Sequence, residues 1–319
     1  MEPEWIILFS VLFIVALVLI TSAICFFKVF YSPKRKDRGE DYIDLPPGEE
    51  YKPYHPQMIM WTKASRKLPY KPVELKTFDG LTLRGRYYEH SPDAPIEIMM
   101  HGYRGNIERD LCGGIFRAFS VGHSVLLYDH RGSGKSDGNV ITFGVNESRD
   151  CRRWIDYVIQ NINKDAKIII SGVSMGGATA MIISGYEDLP DNVVGIIADC
   201  GYTSAKEIIK LVIQEMKLPA ELLYPFVKLG ARLYGRFDID ELSPIEQVKK
   251  SKVPTIFVHG DADDFVPLKM SEENYAACAA KTKNILVIKG AGHGLAYPAA
   301  VEEYPAELRK FFGPITNQK

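Results

Sequence analysis

Lys167-Ile168-Ile169-Ile170-Ser171-Gly172-Val173-Ser174-Met175-Gly176-Gly177-Ala178 passes from a β-branched apolar run, through a serine between two glycines, into small residues that begin a helix. A serine hydroxyl is a poor nucleophile and has to stand on a sharp turn where a base can reach it. The Gly-x-Ser-x-Gly spacing between strand and helix supplies that turn. Gly172 and Gly176 lack the Cβ atoms that would clash there, and Gly177 and Ala178 let the helix lie close to the sheet. The Met175 N–H, at the helix start, is then expected to face any oxyanion formed beside Ser174.

Working outward, apolar runs alternate with helical patterns. Ile96 to Met100, Val125 to Tyr128, Ile168 to Ser171, Val193 to Ala198, Thr255 to Val258 and Ile285 to Ile288 read as buried strands. Helices are expected over about Ile115 to Val121 and over Asn146 to Ile162, the latter with Trp154, Ile155, Val158 and Ile162 on one face. Val73 to Phe78, the turn Asp79-Gly80 and Leu81 to Tyr88 read as an antiparallel edge hairpin. The βα rhythm implies a mostly parallel, doubly wound sheet whose site lies at the carboxyl ends of its strands. Between Tyr202 and Val248 the rhythm breaks: Ile208 to Met216, Leu222 to Tyr234 and Ser243 to Val248 read as helices, a cap spanning about 203–248.

The N-terminal part is different. Trp5 to Phe30 is almost wholly apolar and long enough to cross a bilayer, where about 20 residues suffice, so residues 1–31 read as a transmembrane anchor. Glu2 and Glu4 precede it; Lys28, Lys34, Arg35, Lys36 and Arg38 lie at or beyond its end. That bias places the C-terminal part on the cytoplasmic side. Residues 32–72, with Pro46-Pro47-Gly48, Pro53, Pro56 and Pro69, read as a tether laid on the domain through Tyr51, Tyr54, Met58, Met60 and Trp61. A single domain at 73–315 follows. The net charge of −1 gives no basic field for nucleic acid. Five scattered cysteines without CxxC spacing read as reduced, buried apolar residues, and no group of residues has metal-ligand spacing or a cofactor signature.

Beyond Ser174, one strand ends in His259-Gly260-Asp261-Ala262-Asp263-Asp264 and the last ends in Gly290-Ala291-Gly292-His293-Gly294. The order Ser, Asp, His, each just past a strand, is the order of a nucleophile, an orienting acid and a general base on such a sheet. His293 is the expected base. Asp261, Asp263 and Asp264 compete for the acid; the Gly-x-x-Asp spacing favours Asp263, Asp261 suits its own turn, and Asp199 is a distant runner-up. The loop His101-Gly102-Tyr103-Arg104 should offer the Tyr103 N–H as a second oxyanion donor, with Arg104 exposed. His101 and His259 read as loop-fixing, Asp129 and Arg131 as an internal pair, and Glu147 and Asp150 as helix-dipole partners. Tyr128 to Gly138 lacks phosphate-loop spacing.

With these motifs (His101-Gly102-Tyr103, Asp129-His130-Arg131-Gly132-Ser133-Gly134-Lys135-Ser136, Gly172 to Gly177, Asp199-Cys200-Gly201-Tyr202, His259-Gly260-x-x-Asp263 and Gly292-His293) the chain resembles the α/β-hydrolase superfamily. It is most similar to bacterial membrane-anchored serine hydrolases of the serine-aminopeptidase and monoacylglycerol-lipase-like branch. The similarity covers about Val73 to Phe312. It implies an eight-stranded sheet with Ser174 as nucleophile, Asp263 as acid, His293 as base, and Tyr103 and Met175 as oxyanion donors. The expected activity is hydrolysis of a small-molecule acyl or lipid-like ester at the cell membrane. An amidase, aminopeptidase or thioesterase on the same residues is the rival enzyme, and a silent binding scaffold the rival from another class. For the first, Glu207, Glu215 and Glu221 are candidate amine-holding residues, though solvated helix faces explain them too.

Overall fold

The computed structural model describes residues 2–34, 38–39 and 41–316. In chain order the elements are α1 (Pro3–Val29), α2 (His55–Ser65), β1 (Lys71–Lys76), β2 (Thr82–Tyr88), β3 (Ile96–Met100), α3 (Ile107–Ser120), β4 (Ser124–Tyr128) and α4 (Val145–Asn161). Next come β5 (Ile168–Val173), α5 (Met175–Ser184), β6 (Val193–Asp199), α6 (Ala205–Glu215), α7 (Ala220–Gly230) and α8 (Pro244–Val248). The chain closes with β7 (Thr255–Gly260), α9 (Leu268–Ala277), β8 (Lys283–Ile288), α10 (Ala296–Ala299) and α11 (Glu303–Thr316).

The strands form one eight-stranded sheet in the order β1-β2-β4-β3-β5-β6-β7-β8. β1 and β2 form the antiparallel edge, β2 joins β4 antiparallel, and the remaining pairs are parallel. β3, β4 and β7 are buried along their whole length, as near-continuous apolar strands are when helices cover both faces. One face packs on α4 through Trp154, Ile155 and Val158, all fully buried. The other packs on α11 through Leu308 and Phe312. Strand order reverses around β3 and β5, so the crevice at their carboxyl ends is the place for a site.

Three stretches depart from expectation for identifiable reasons. α3 begins eight residues before the expected start at Ile115, because the Asn106 side chain accepts the Glu108 and Arg109 N–H groups and caps the helix there. The segment read as a tether contains a 3-10 turn (Glu49–Tyr54) and the α2 helix, which packs on α3: Met58 and Trp61 are buried, and Trp61 lies against Gly113, where a Cβ would meet its ring at 2.6 Å. Of the prolines that suggested a linker, Pro53 sits in the turn and Pro56 at the start of α2, where a proline is tolerated.

α1 is the third case. It is a 27-residue helix of mean hydropathy 2.9 in its most apolar stretch, yet its end is not free. Ser22, Phe26 and Phe30 are buried against the cap helices. Gly230 of α7 makes the crossing possible, since a Cβ there would lie 2.5 Å from the Ser22 carbonyl oxygen. Phe30 packs edge-to-face on Phe237 at 5.2 Å. Beyond the helix, Tyr31 bridges Val140, and Ser32 N–H and Ile141 N–H donate to Asn139 and Phe30 carbonyls.

Candidate active site

β5 carries Val173 to the crevice and the chain turns sharply into α5. Ser174 takes φ 57° and ψ −117°, a region that a residue with a Cβ rarely occupies. The glycines are required by contact: a Cβ on Gly172 would lie 2.2 Å from Gly176 C, and one on Gly176 would lie 2.2 Å from the Met100 carbonyl oxygen. The strained turn thus lifts Ser174 out of the strand line, and the Ser174 N–H is held by the Asp199 carbonyl at 2.8 Å.

Three loops converge there. His293 Nε2 lies 2.9 Å from Ser174 Oγ, and His293 Nδ1 lies 2.8 Å from Asp263 Oδ2. With the Nδ1 proton donated to the carboxylate, Nε2 is free to accept the serine proton. Asp263 is buried, and its Oδ1 accepts the Phe265 and Val266 N–H groups at 3.0 and 2.8 Å. Although burial opposes ionisation, the hydrogen bonds from histidine and main chain hold its carboxyl well below the usual carboxylate range. The other carboxylates near this loop go elsewhere. Asp261 accepts the Gly290 N–H at 2.5 Å, Asp264 is exposed at the cavity wall, and Asp199 Oδ2 accepts the Tyr304 hydroxyl at 3.0 Å.

Gly102 brings the second loop alongside: a Cβ on it would stand 3.5 Å from Ser174 Cβ. The loop is pinned by the Asp110 carboxylate, which accepts the Gly102 N–H at 3.0 Å, and by His101, whose Nδ1 meets the Gly102 carbonyl at 2.7 Å while Nε2 accepts the His130 N–H. Among the described residues, neither the Tyr103 N–H nor the Met175 N–H donates to a main-chain acceptor outside helix and sheet.

Several residues take other roles than the sequence suggested. His259 fixes its loop through Ser271 and the Val266 carbonyl, but its Nε2 also lies 3.2 Å from Asp263 Oδ2, so the acid is flanked by two histidines. Arg131 is not paired with Asp129: it binds Asp150 and Asp79, while Asp129 accepts the Ile107 and Lys135 N–H groups. Glu147 and Asp150 are both fully buried: Glu147 lies in the first turn of α4 as expected and accepts the Thr142 and Gly144 N–H groups, whereas Asp150 is bound by Arg131. Burial still raises the Asp150 carboxyl to about 6. Arg104 donates to the Lys28 and Tyr31 carbonyls, and the Tyr103 hydroxyl donates to the Val29 carbonyl at 2.7 Å. No sequence signal couples positions so far apart. Cys200 places its Sγ within 4.8 Å of the ligand atoms of Asp263 and His293. Burial and the adjacent carboxylates push its thiol pKa well up, so it stays neutral.

The serine opens into a cavity of about 750 Å³. Its apolar wall comes largely from the segment expected to be a tether and from the last helices: Tyr51, Met58, Trp61 and Tyr297, with Trp61 stacked on Tyr297 at 5.1 Å. Polar groups reach it from Asp199, Arg117 and Tyr304, and from Glu50, Asp264 and Glu215. Arg117 is paired with the buried Glu97.

An eight-stranded, mostly parallel sheet with a serine elbow after β5 and a helical cap after β6 is the α/β-hydrolase fold. A family model described as alpha/beta hydrolase fold matches residues 98–233. The chain is 27% identical over 234 residues to the uncharacterized protein YqkD of Bacillus subtilis, covering 73% of this chain and 75% of YqkD. It is 26% identical over 232 residues to YNL320W of Saccharomyces cerevisiae, described as an uncharacterized membrane protein, covering 70% and 73%. Among solved structures, the esterase Pf2001 of Pyrococcus furiosus matches with a TM-score of 0.65 and 24% identity, over 80% of this chain and 95% of that one.

Proposed function

We propose that the protein is a membrane-anchored serine hydrolase that cleaves carboxylic esters of acyl or small lipid-like groups through an acyl-enzyme. The observation that carries this reading is the unbroken relay from Ser174 Oγ through His293 to Asp263, at 2.9 and 2.8 Å. His293 takes the proton as Ser174 Oγ bonds the ester carbonyl carbon. The tetrahedral oxyanion is received by the Tyr103 and Met175 N–H groups. As the C–O bond to the alcohol breaks, His293 returns the proton to the leaving oxygen; a water, deprotonated in turn by His293, then releases the acid and restores Ser174. Asp263 remains ionised and stabilises the imidazolium. The aromatic wall of Trp61, Tyr51 and Tyr297 suits an apolar acyl group, and the apolar α1 helix would keep the site beside a bilayer.

A second reading has one observation in its favour. Glu215, Glu50 and Asp264 stand on the cavity wall, and carboxylates there would hold a substrate amine, as an aminopeptidase or amidase requires. Glu221 is instead bonded to Lys210, and the Glu207 N–H serves the Ser204 cap of α6. Two measurements test the proposal. A fluorophosphonate probe should label the wild type and leave Ser174→Ala unlabelled; equal labelling of both sinks it. Turnover of p-nitrophenyl acyl esters should exceed turnover of aminoacyl anilides, and the reverse order selects the second reading.

A further inference from the structure

We propose that the turn Ala231–Gly235, with Arg236, is a lipid-contact surface that seats the cap on the bilayer at the end of α1. This inference rests on reading α1 as a membrane span. The exposure of α1 changes abruptly along its length. Pro3 to Leu17 are exposed on every side, whereas Val18, Thr21, Ser22, Cys25, Phe26 and Val29 form a covered stripe with helical spacing. The free part is about 22 Å long at 1.5 Å per residue, short of the roughly 30 Å of a hydrocarbon core. The bilayer must therefore reach about five residues further, to the level of Ser22. What covers α1 at that level is this turn: the Tyr234 hydroxyl donates to the Leu19 carbonyl at 3.1 Å, and its ring packs 5.8 Å from that of Phe26.

The turn has the composition that an interface requires. Leu233 is 48% and Tyr234 41% exposed, large apolar groups that leave nearly half of their surface outside the protein. Arg232 and Arg236 flank them, both exposed. Arg232 is bonded to Asp238 at 2.6 Å; Arg236 has no ion-pair partner among the described residues. Tyrosine, leucine and arginine are usual occupants of the edge of the hydrocarbon, where the Arg236 guanidinium can meet a lipid phosphate. The partner is thus the surface of a bilayer containing anionic lipid. Seating the turn fixes more than the cap, because the same helix end holds Tyr103 and Arg104 beside Ser174.

The test uses the full chain, with Cys25→Ser as background, in phosphatidylcholine–phosphatidylglycerol vesicles. Nitroxides are attached singly at Leu12→Cys, Leu233→Cys and Asp165→Cys, the last on an exposed loop at the opposite end of the sheet. Accessibility to oxygen and to a water-soluble nickel chelate gives depth. The expected result is a deep label at 12, an aqueous label at 165, and at 233 a several-fold loss of chelate accessibility relative to 165. A deep label at 12 with 233 as accessible as 165 overturns this inference and leaves the span standing. An aqueous label at 12 overturns the span and the inference with it. Should Leu233→Cys fail to fold, Arg236→Cys gives the same readout.

Discussion

Ser174 is held at a positive φ that costs on the order of 1–3 kcal/mol for a residue with a side chain, and the fold sustains that strain through the Asp199 and Met100 main chain around it. The return is a hydroxyl aimed at an imidazole rather than along the strand. If Asp263 orients and charges that imidazole, Asp263→Asn should leave the fold intact and lower kcat by about 10⁴-fold, the size of effect such a substitution has where the acid sets the tautomer. Steady-state turnover of a p-nitrophenyl ester checks this; a loss under tenfold would exclude the role. Asp199 behaves in the opposite sense. Burial raises its carboxyl to about 6, and its Oδ1 has no hydrogen-bond partner among the described residues. A folded-state pKa above the unfolded value near 4 means that ionisation opposes folding. Stability should fall as pH rises from about 4 through 6, by on the order of 2–3 kcal/mol. Asp199→Asn removes that titration, so the variant should gain thermal stability over wild type at pH 8 and show little difference near pH 4. A Tm difference that does not change with pH would refute the assignment. At this scale the sequence was most legible where spacing encodes a contact: Ser174, Asp263 and His293 each follow a strand end, and parallel strands deliver their ends to one place. Arg131 and Asp150 were misread because the partner of a buried charge is set by packing between α4 and the loop after β4, which no local spacing records.

Secondary structure followed periodicity wherever one face of an element is buried. β3, β4 and β7 are buried throughout because both sheet faces are covered there, and the α4 stripe was evident because one of its faces is buried. What escaped was structure determined by single polar contacts or by docking. Asn106 starts α3 through one side-chain oxygen, and α2 has little amphipathic pattern because it is wedged between α3 and Tyr297 of α10. The same holds for the end of α1, whose contacts with the loop after β3 join residues more than seventy positions apart. Their functional weight can be measured. Tyr103→Phe keeps the main-chain N–H and deletes only the hydroxyl that binds the Val29 carbonyl. Losing a hydrogen bond of about 1 kcal/mol from the loop proposed to receive the oxyanion should lower kcat about fivefold with KM unchanged. In a Gly230→Leu background, where α1 is pushed from its seat by a side chain in place of the 2.5 Å contact, the further effect of Tyr103→Phe should vanish. Additive losses in the double variant would show that loop and anchor act independently.

For the whole molecule, if α1 spans a membrane as proposed, the charge distribution about it predicts which side the site occupies. Glu2 and Glu4 stand before the span, while Lys28, Lys34, Arg35, Lys36 and Arg38 cluster at and beyond its end. Cations within about 15–20 residues of a span are retained on the cytoplasmic side, whereas acids have little influence, so five against none is a strong bias. All five cysteines are free thiols, four of them buried. An Asp165→Cys variant in the Cys25→Ser background places one reactive thiol far from the membrane. In intact cells a membrane-impermeant maleimide should leave it unmodified, and permeabilisation should expose it. Modification before permeabilisation would put the domain outside the cell. It would also remove the reason for the basic cluster, because a lysine-rich flank on the outer side works against insertion in that orientation.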